Sequence, residues 1–195
     1  MGIVMARTKS SRPSARDRIL AAASKLFYEE GVQNVGIDRI IAESGVAKMS
    51  LYNHFKSKDA LIAACLQQRD KRWETWFQAE VEKRATEPRD RLLAIFDVLQ
   101  EWYEQPDFRG CAFINSAVEL VDREHPGYQV SMRHQQVISH YLLSLVKAAE
   151  LSNPELLAQQ LTILINGATV IAMMQDSSEP AIQAKQAAAM LIAGS

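Results

Sequence analysis

"AKMSLYNHFKSKDAL", residues 47–61, begins as a short amphipathic helix and ends as the start of another. It sets Lys48, Met49, Ser50, Tyr52, Asn53 and His54 on about two turns of helix, with Lys58 just beyond. Leu51 and Phe55, four apart, share one face of that helix. Immediately upstream, "GIDRIIAESGV" (36–46) places Ile37, Ile40 and Ile41 on one helical face and stops at Gly45. Ile41, Gly45 and Leu51 therefore lie four and six residues apart. That is the spacing of a helix-turn-helix, which needs a packed residue, a sharp turn and a core residue on the second helix. Glycine meets the turn because it enters the left-handed region at little steric cost. Lys48, Met49, Asn53 and, less directly, Ser50 then point away from the core. A helix with such a face fits the major groove, about 12 Å wide, and reads base edges there.

Working outward, helical periodicity runs through the whole chain, and no alternating β-branched run or Asn-Gly hairpin signal interrupts it. Ser14 caps a first helix that Gly31 ends. Short helices follow at about 37–44 and 48–54. Ser57 opens a long fourth helix to about residue 84, with Asp59 in its first turn, where a negative charge suits the helix dipole. Pro88, Pro154 and the Ser178/Pro180 pair mark further helix starts, whereas Pro126 reads as a break after the sixth helix; the seventh is expected to end near residue 151. The expectation is an all-α chain of about nine helices. A three-helix DNA-binding domain at 14–60, its motif at about 37–56, joins a larger helical domain at 61–195 through the rigid fourth helix.

The charge is uneven. Residues 1–60 carry ten Lys/Arg against six Asp/Glu, while residues 61–195 carry twelve against seventeen. A basic front suggests an anionic partner, nucleic acid first. "RTKSSRPSAR" (7–16), with Arg7, Lys9, Arg12 and Arg16, reads as a basic arm or a disordered terminus. Cys65 and Cys111 lie far apart and lack a CxxC or metal-finger spacing, so free thiols in a reducing compartment are the default. The opening has too few apolar residues for a secretory signal. The longest nearly apolar run, 161–174, is too short to span a bilayer. A cytoplasmic protein without a membrane partner is expected.

The stretch "GIDRIIAESGVAKMSLYNHFKSKDAL" (36–61) resembles the TetR family of bacterial one-component transcriptional repressors. "ILAAASKLFYEEG" (19–31) is similar to the family's first helix, and "FRGCAFINSAVEL" (108–120) resembles a sixth-helix motif of some members. The resemblance is specific over about residues 14–62. It implies that Tyr52, His54 and Lys58 hold phosphates, while Lys48, Met49 and Asn53 face base edges. Two departures stand out. A Thr usual near the start of the second helix is Gly36 here, which loses a hydroxyl contact but keeps an amide. Met49 replaces a usual Gly or Ala, exchanging a close backbone approach for an apolar contact, such as a thymine methyl.

A palindromic operator on double-stranded DNA, with half-sites about 34–36 Å apart, requires a two-fold dimer. The eighth helix carries Leu161, Leu164, Ile165, Ala168, Ile171 and Ala172, with Gly167 permitting close approach, and "AIQAKQAAAMLIA" (181–193) is rich in small residues. A homodimer through these last two helices is expected. Control by a small apolar or aromatic effector would use a cavity. Its expected wall includes Trp73, Trp76 and Phe77 on the fourth helix. Cys111, Asn115 and Glu119, four apart, form a stripe that faces either water or that pocket. Cys111 is either a reactive thiol beside a helix N-terminus or an ordinary inert one. The rival reading is an all-helical small-molecule binder or enzyme with an incidental basic front. His125, His134 and His140 do not share a metal-binding spacing, and no HExxH, GxSxG, P-loop or GxGxxG occurs. No catalytic residue, metal or cofactor is expected.

Overall fold

Ser14 starts the first helix by accepting the amide of Asp17 at 3.1 Å, satisfying one of the donors a helix start leaves unpaired. The computed structural model describes residues 13–195, so Arg7, Lys9 and Arg12 of the basic arm lie outside the described residues. The first helix is α1 (Ala15–Glu30), followed by α2 (Ile37–Ser44), α3 (Lys48–His54) and α4 (Lys58–Arg84). Gly45 stands between α2 and α3 at φ 60°, ψ 37°, the left-handed turn that the spacing requires. Ser57 caps α4 by accepting the amide of Ala60.

A helix as short as α3 does not persist alone in water. Leu51 and Phe55 hold it, fully or nearly buried in a cluster with Ile19, Leu20, Ala23, Ile40 and Leu61. Burying each of those two side chains contributes about 1.5–3 kcal/mol, which fixes the angle of α3 against α1. The same cluster continues along α4 to Leu66. It also takes in Ala112, Phe113 and Leu120 beside the sixth helix and Val130 of the seventh. The front three helices are thus seated on the larger half through shared apolar surface, and a clean division at residue 60 exists in the chain but not in the packing.

The larger half is built from α5 (Pro88–Tyr103), α6 (Ala112–Glu119), α7 (Pro126–Ala148), α8 (Pro154–Gln175) and α9 (Glu179–Ala193), making nine helices and no strand among the described residues. Its core gathers Phe77 and Val81 of α4 with Leu92, Phe96 and Leu99 of α5, Leu142 and Val146 of α7, and Leu161 and Ile165 of α8. Two boundaries differ from the sequence reading. Pro126 opens α7 at its first position, with His125 as the cap accepting the Gly127 amide at 3.0 Å, because a proline at that position sacrifices no hydrogen bond. At its other end α7 stops at Ala148, and Glu150 turns the chain at φ 54°.

α8 also corrects an expectation. At 22 residues, with mean hydropathy 1.5 over its most apolar window, it is long and apolar enough by composition to cross a membrane. Only one face of it is covered by α7 and α9. Leu161, Ile165, Ala168 and Ala172 point into the core, so these are not the outward residues of the expected interface. Ile163, Gly167, Ile171 and Met174 form the outward stripe instead.

Candidate nucleic-acid interface and adjoining cavity

α3 presents a continuous exposed face. Met49 is 70% exposed, and Lys48, Tyr52, Asn53 and His54 share the exposed surface, with Ser50 half-buried at its edge. Lys58 follows at the first position of α4. Gly36 caps α2 in an extended conformation with no side-chain hydrogen bond, and nothing lies within 4 Å of where its Cβ would stand. Space for a threonine is therefore present; only the hydroxyl is missing.

Three contacts orient this face. Arg18 of α1 donates to the carbonyls of Ser44 and Gly45, both at 3.1 Å, pinning the turn that aims α3. Asp38 of α2 accepts from Lys48 Nζ at 3.2 Å, holding that ammonium over the exposed α3 face. This pair is exposed, so it positions the lysine more than it stabilises the fold. Lys58 Nζ donates to the carbonyl of Gln33, in the turn between α1 and α2, at 3.2 Å.

That turn is in turn tied to α6. The Gln33 amide donates to Glu119 Oε2 at 2.9 Å, and the Glu119 carboxylate lies against Gly31, where a Cβ would stand 3.0 Å from Oε2. Beneath it opens a cavity of about 580 Å³ between α1, α4 and α6, with Met173 of α8 at its rim. The wall is mainly apolar, from Phe27, Val32, Ile62, Leu66, Ala112 and Ile114. At one end the Arg69 guanidinium lies 3.8 Å from the centre of the Tyr28 ring. Tyr28 donates to the Gly110 carbonyl at 3.0 Å and accepts from the Arg109 amide at 2.8 Å. Burial pushes this phenol up, so it stays neutral and keeps both bonds.

The sequence has clear kin. Residues 19–65 match the family described as bacterial regulatory proteins, tetR family, and residues 88–188, more than half of the chain, match the tetracyclin repressor-like C-terminal domain. The chain belongs to the TetR family. It is a DNA-binding transcriptional regulator and not an enzyme. The HTH-type transcriptional regulator YjdC of Escherichia coli (strain K12) is 20% identical over 152 residues, covering 78% of this chain and 80% of YjdC. An HTH-type transcriptional regulator of Staphylococcus aureus (strain USA300) is 46% identical over 52 residues, 27% of this chain and 28% of that one. Among solved structures, SCO4454, a TetR-family transcriptional regulator from Streptomyces coelicolor, superposes with a TM-score of 0.82 at 29% identity, over 92% of this chain and 95% of that chain.

In this TetR regulator, the six residues expected around an effector separate. Asn115 and Glu119 line the large cavity. Trp73 and Cys111 instead border a second space of about 20 Å³, room for little more than one water. Phe77 is core, stacked on Trp73 with ring centroids 4.3 Å apart. Trp76 is 38% exposed on the outside of α4, beside Lys71, Arg72, Thr75, Glu80 and Lys83. It lies a quarter-turn or so from Phe77, and α4 is covered by other helices on one side only. Sequence reasoning missed Tyr28, Arg69 and Arg109, which meet only because α1, α4 and the segment before α6 converge.

It also missed a buried histidine held by a carboxylate. His134 of α7, 2% exposed, lies 2.7 Å from Asp70 Oδ1 and stacks on Phe113 at 3.7 Å. Desolvation alone would lower the histidine pKa, but the hydrogen bond to Asp70, assisted by Cys111, outweighs it and leaves the value raised. A histidine raised above its unfolded value adds stability that is complete below about 6.5 and is lost as pH rises through the folded value. Asp70→Asn is therefore expected to destabilise the protein most below the ordinary histidine value of about 6.5, and the gap to wild type should narrow as pH rises through the raised folded value. Denaturant unfolding of both across that range checks this; a stability gap that widened with pH would assign the proton wrongly. Cys65 is a different matter: burial pushes its thiol up to about 11, so it carries no thiolate and reads as an inert core residue.

Proposed function

We propose that this regulator is a homodimeric repressor that holds a palindromic operator until a small apolar or aromatic effector releases it. Residues 14–60 form the DNA-binding unit and residues 61–195 the effector-binding and dimerisation unit, working in the cytoplasm. The exposed α3 face carries the reading: five neighbouring side chains that reach solvent while Leu51 and Phe55, on the opposite side, are locked into the core. Lys48, Met49 and Asn53 face base edges, with Ser50 at their border. Tyr52, His54 and Lys58, together with the Gly36 amide, hold phosphates on either side.

Dimerisation is supported by the outward stripe of α8, where Ile163 is 69% exposed, and by Met190 of α9 at 71%. Large apolar side chains left this exposed on neighbouring helices mark an interaction site, and a two-fold contact buries them on both copies at once. The cavity between α1, α4 and α6 is the effector site. Its volume lies within the roughly 300–1,000 Å³ typical of small-molecule sites.

Lys58→Ala tests the phosphate assignment. Operator affinity should fall for every sequence, and the slope of log affinity against log salt should shrink by about 2, because each of the two copies on the operator releases one fewer counterion. Lys48→Ala should leave that slope closer to wild type and relax preference at one base pair by about 1–3 kcal/mol. Sequences selected from random DNA by the wild-type protein supply the operator. Equal salt slopes for wild type and Lys58→Ala would remove Lys58 from the phosphate contacts.

A further inference from the structure

Resting on the reading of this cavity as the effector site, we infer that its ligand is an organic anion: an apolar body carrying one carboxylate, seated at Arg69 and Arg109. Both arginines border the cavity, and neither has a carboxylate within ion-pair distance among the described residues. The acids that should have neutralised them are committed elsewhere or stand apart. Asp70, next in the chain to Arg69, is held by His134. Asp107 acts on Tyr28 only at long range and is exposed. Glu119 and Glu29 line the same cavity: Glu119 accepts the Gln33 amide at the far end of α6, and Glu29 is exposed on α1 and makes no ion pair with either arginine among the described residues.

The cavity is therefore polarised along α6. Asn115 Nδ2 donates to the Arg109 carbonyl at 2.9 Å, fixing the arginine end, and Glu119 lies one helical turn further on. Arg69 is stacked on Tyr28 and half-buried, so its guanidinium is oriented before any ligand arrives, and its donors lose little freedom on binding. Between the two ends the wall is apolar. A ligand with a carboxylate head would form charge-assisted hydrogen bonds with the arginines while its tail packs on the apolar wall. A cationic ligand would meet the same two guanidiniums as a repulsion.

The test uses the full chain and three near-isosteric probes: 4-phenylbutyrate, 4-phenylbutanol and 4-phenylbutylamine, titrated calorimetrically. The acid should bind about tenfold or more tightly than the alcohol, and the amine more weakly than either. Arg69→Gln should bring the acid to the level of the alcohol while leaving the alcohol unchanged. Should loss of the Tyr28 stack unfold that variant, Arg109→Gln, at an exposed side chain, is expected to lower the acid preference without touching the fold. Alcohol binding as tight as the acid, a preference for the amine, no binding by any probe at millimolar concentration, or acid preference surviving Arg109→Gln and a folded Arg69→Gln each overturns the inference. Operator release is measured separately. Acid binding without release would sustain the anion site and remove its effector role; release by the alcohol alone would do the reverse.

Discussion

Gly167→Glu is expected to yield a folded monomer that loses the palindromic operator by about 100–10,000-fold, the advantage that two linked half-site contacts hold over one. The position separates interface from fold unusually well. No atom lies within 4 Å of where a Cβ would stand at Gly167, so the monomer has room for the new side chain. Glutamate is also the better helix former in the middle of α8, by roughly 0.5–1 kcal/mol, so intrinsic propensity works against unfolding. What it places on the outward stripe, between Ile163 and Ile171, is a charge. In a two-fold contact that charge would meet its own copy across the axis without a partner, at a cost of several kcal/mol once desolvated. Ile171→Glu, one turn on, should act the same way. Sedimentation gives the state of assembly and operator titration the affinity. A soluble Gly167→Glu protein that still sediments as a dimer would put the interface on another surface.

The parts of this architecture that can be read from the amino-acid sequence are those written in local chemistry. Ser14, Ser57, Pro88 and Pro154 announce helix starts because capping is settled within four residues. The α3 face is legible for the same reason: Leu51 and Phe55 define its inner side by spacing alone. Pro126 misleads because the same residue that ends one helix can open another, and only the His125 cap behind it tells which. The outward stripe of α8 is hidden by composition, since a helix apolar on every side does not say which residues the neighbouring helices cover. Nor is the cavity readable. Tyr28 and Arg109 stand 81 residues apart, with Arg69 about midway between them, and no periodicity links the three. Trp76 shows the converse error, where a large aromatic on a long helix suggests a pocket but faces solvent.

One short path joins the cavity to Lys58 and the surface proposed to face DNA, and the second large expected effect follows from it. Glu119 holds the Gln33 amide, and the Gln33 carbonyl holds Lys58 at the start of α4. The side chain of Gln33 also reaches the Glu119 carbonyl, at 3.4 Å. A ligand in the cavity lies against Glu119 and against Val32, at the two sides of this tie, and would favour a position of α6 in which the tie is stretched. The turn before α2 would move with it, and Lys58 with the turn. Each copy's α3 would then sit at a spacing the operator does not match. DNA and effector would disfavour each other by the same factor, typically about 5–150-fold for coupling of 1–3 kcal/mol. Glu119→Ala removes the shorter contact of the tie, the one to the Gln33 amide, and keeps only the longer one to its own carbonyl, while leaving the exposed α3 face and the arginine end of the cavity in place. It is therefore expected to bind operator within a few-fold of wild type and to lose most of the release, about twofold or less remaining at saturating effector. Glu119→Gln keeps an acceptor oxygen for the Gln33 amide and should restore the larger part of the coupling. Operator affinity is titrated with and without a compound that releases the wild-type protein, and effector affinity with and without operator, since both directions must agree. Release of Glu119→Ala as complete as that of wild type would show that coupling travels along α4 and not through the α6 contact.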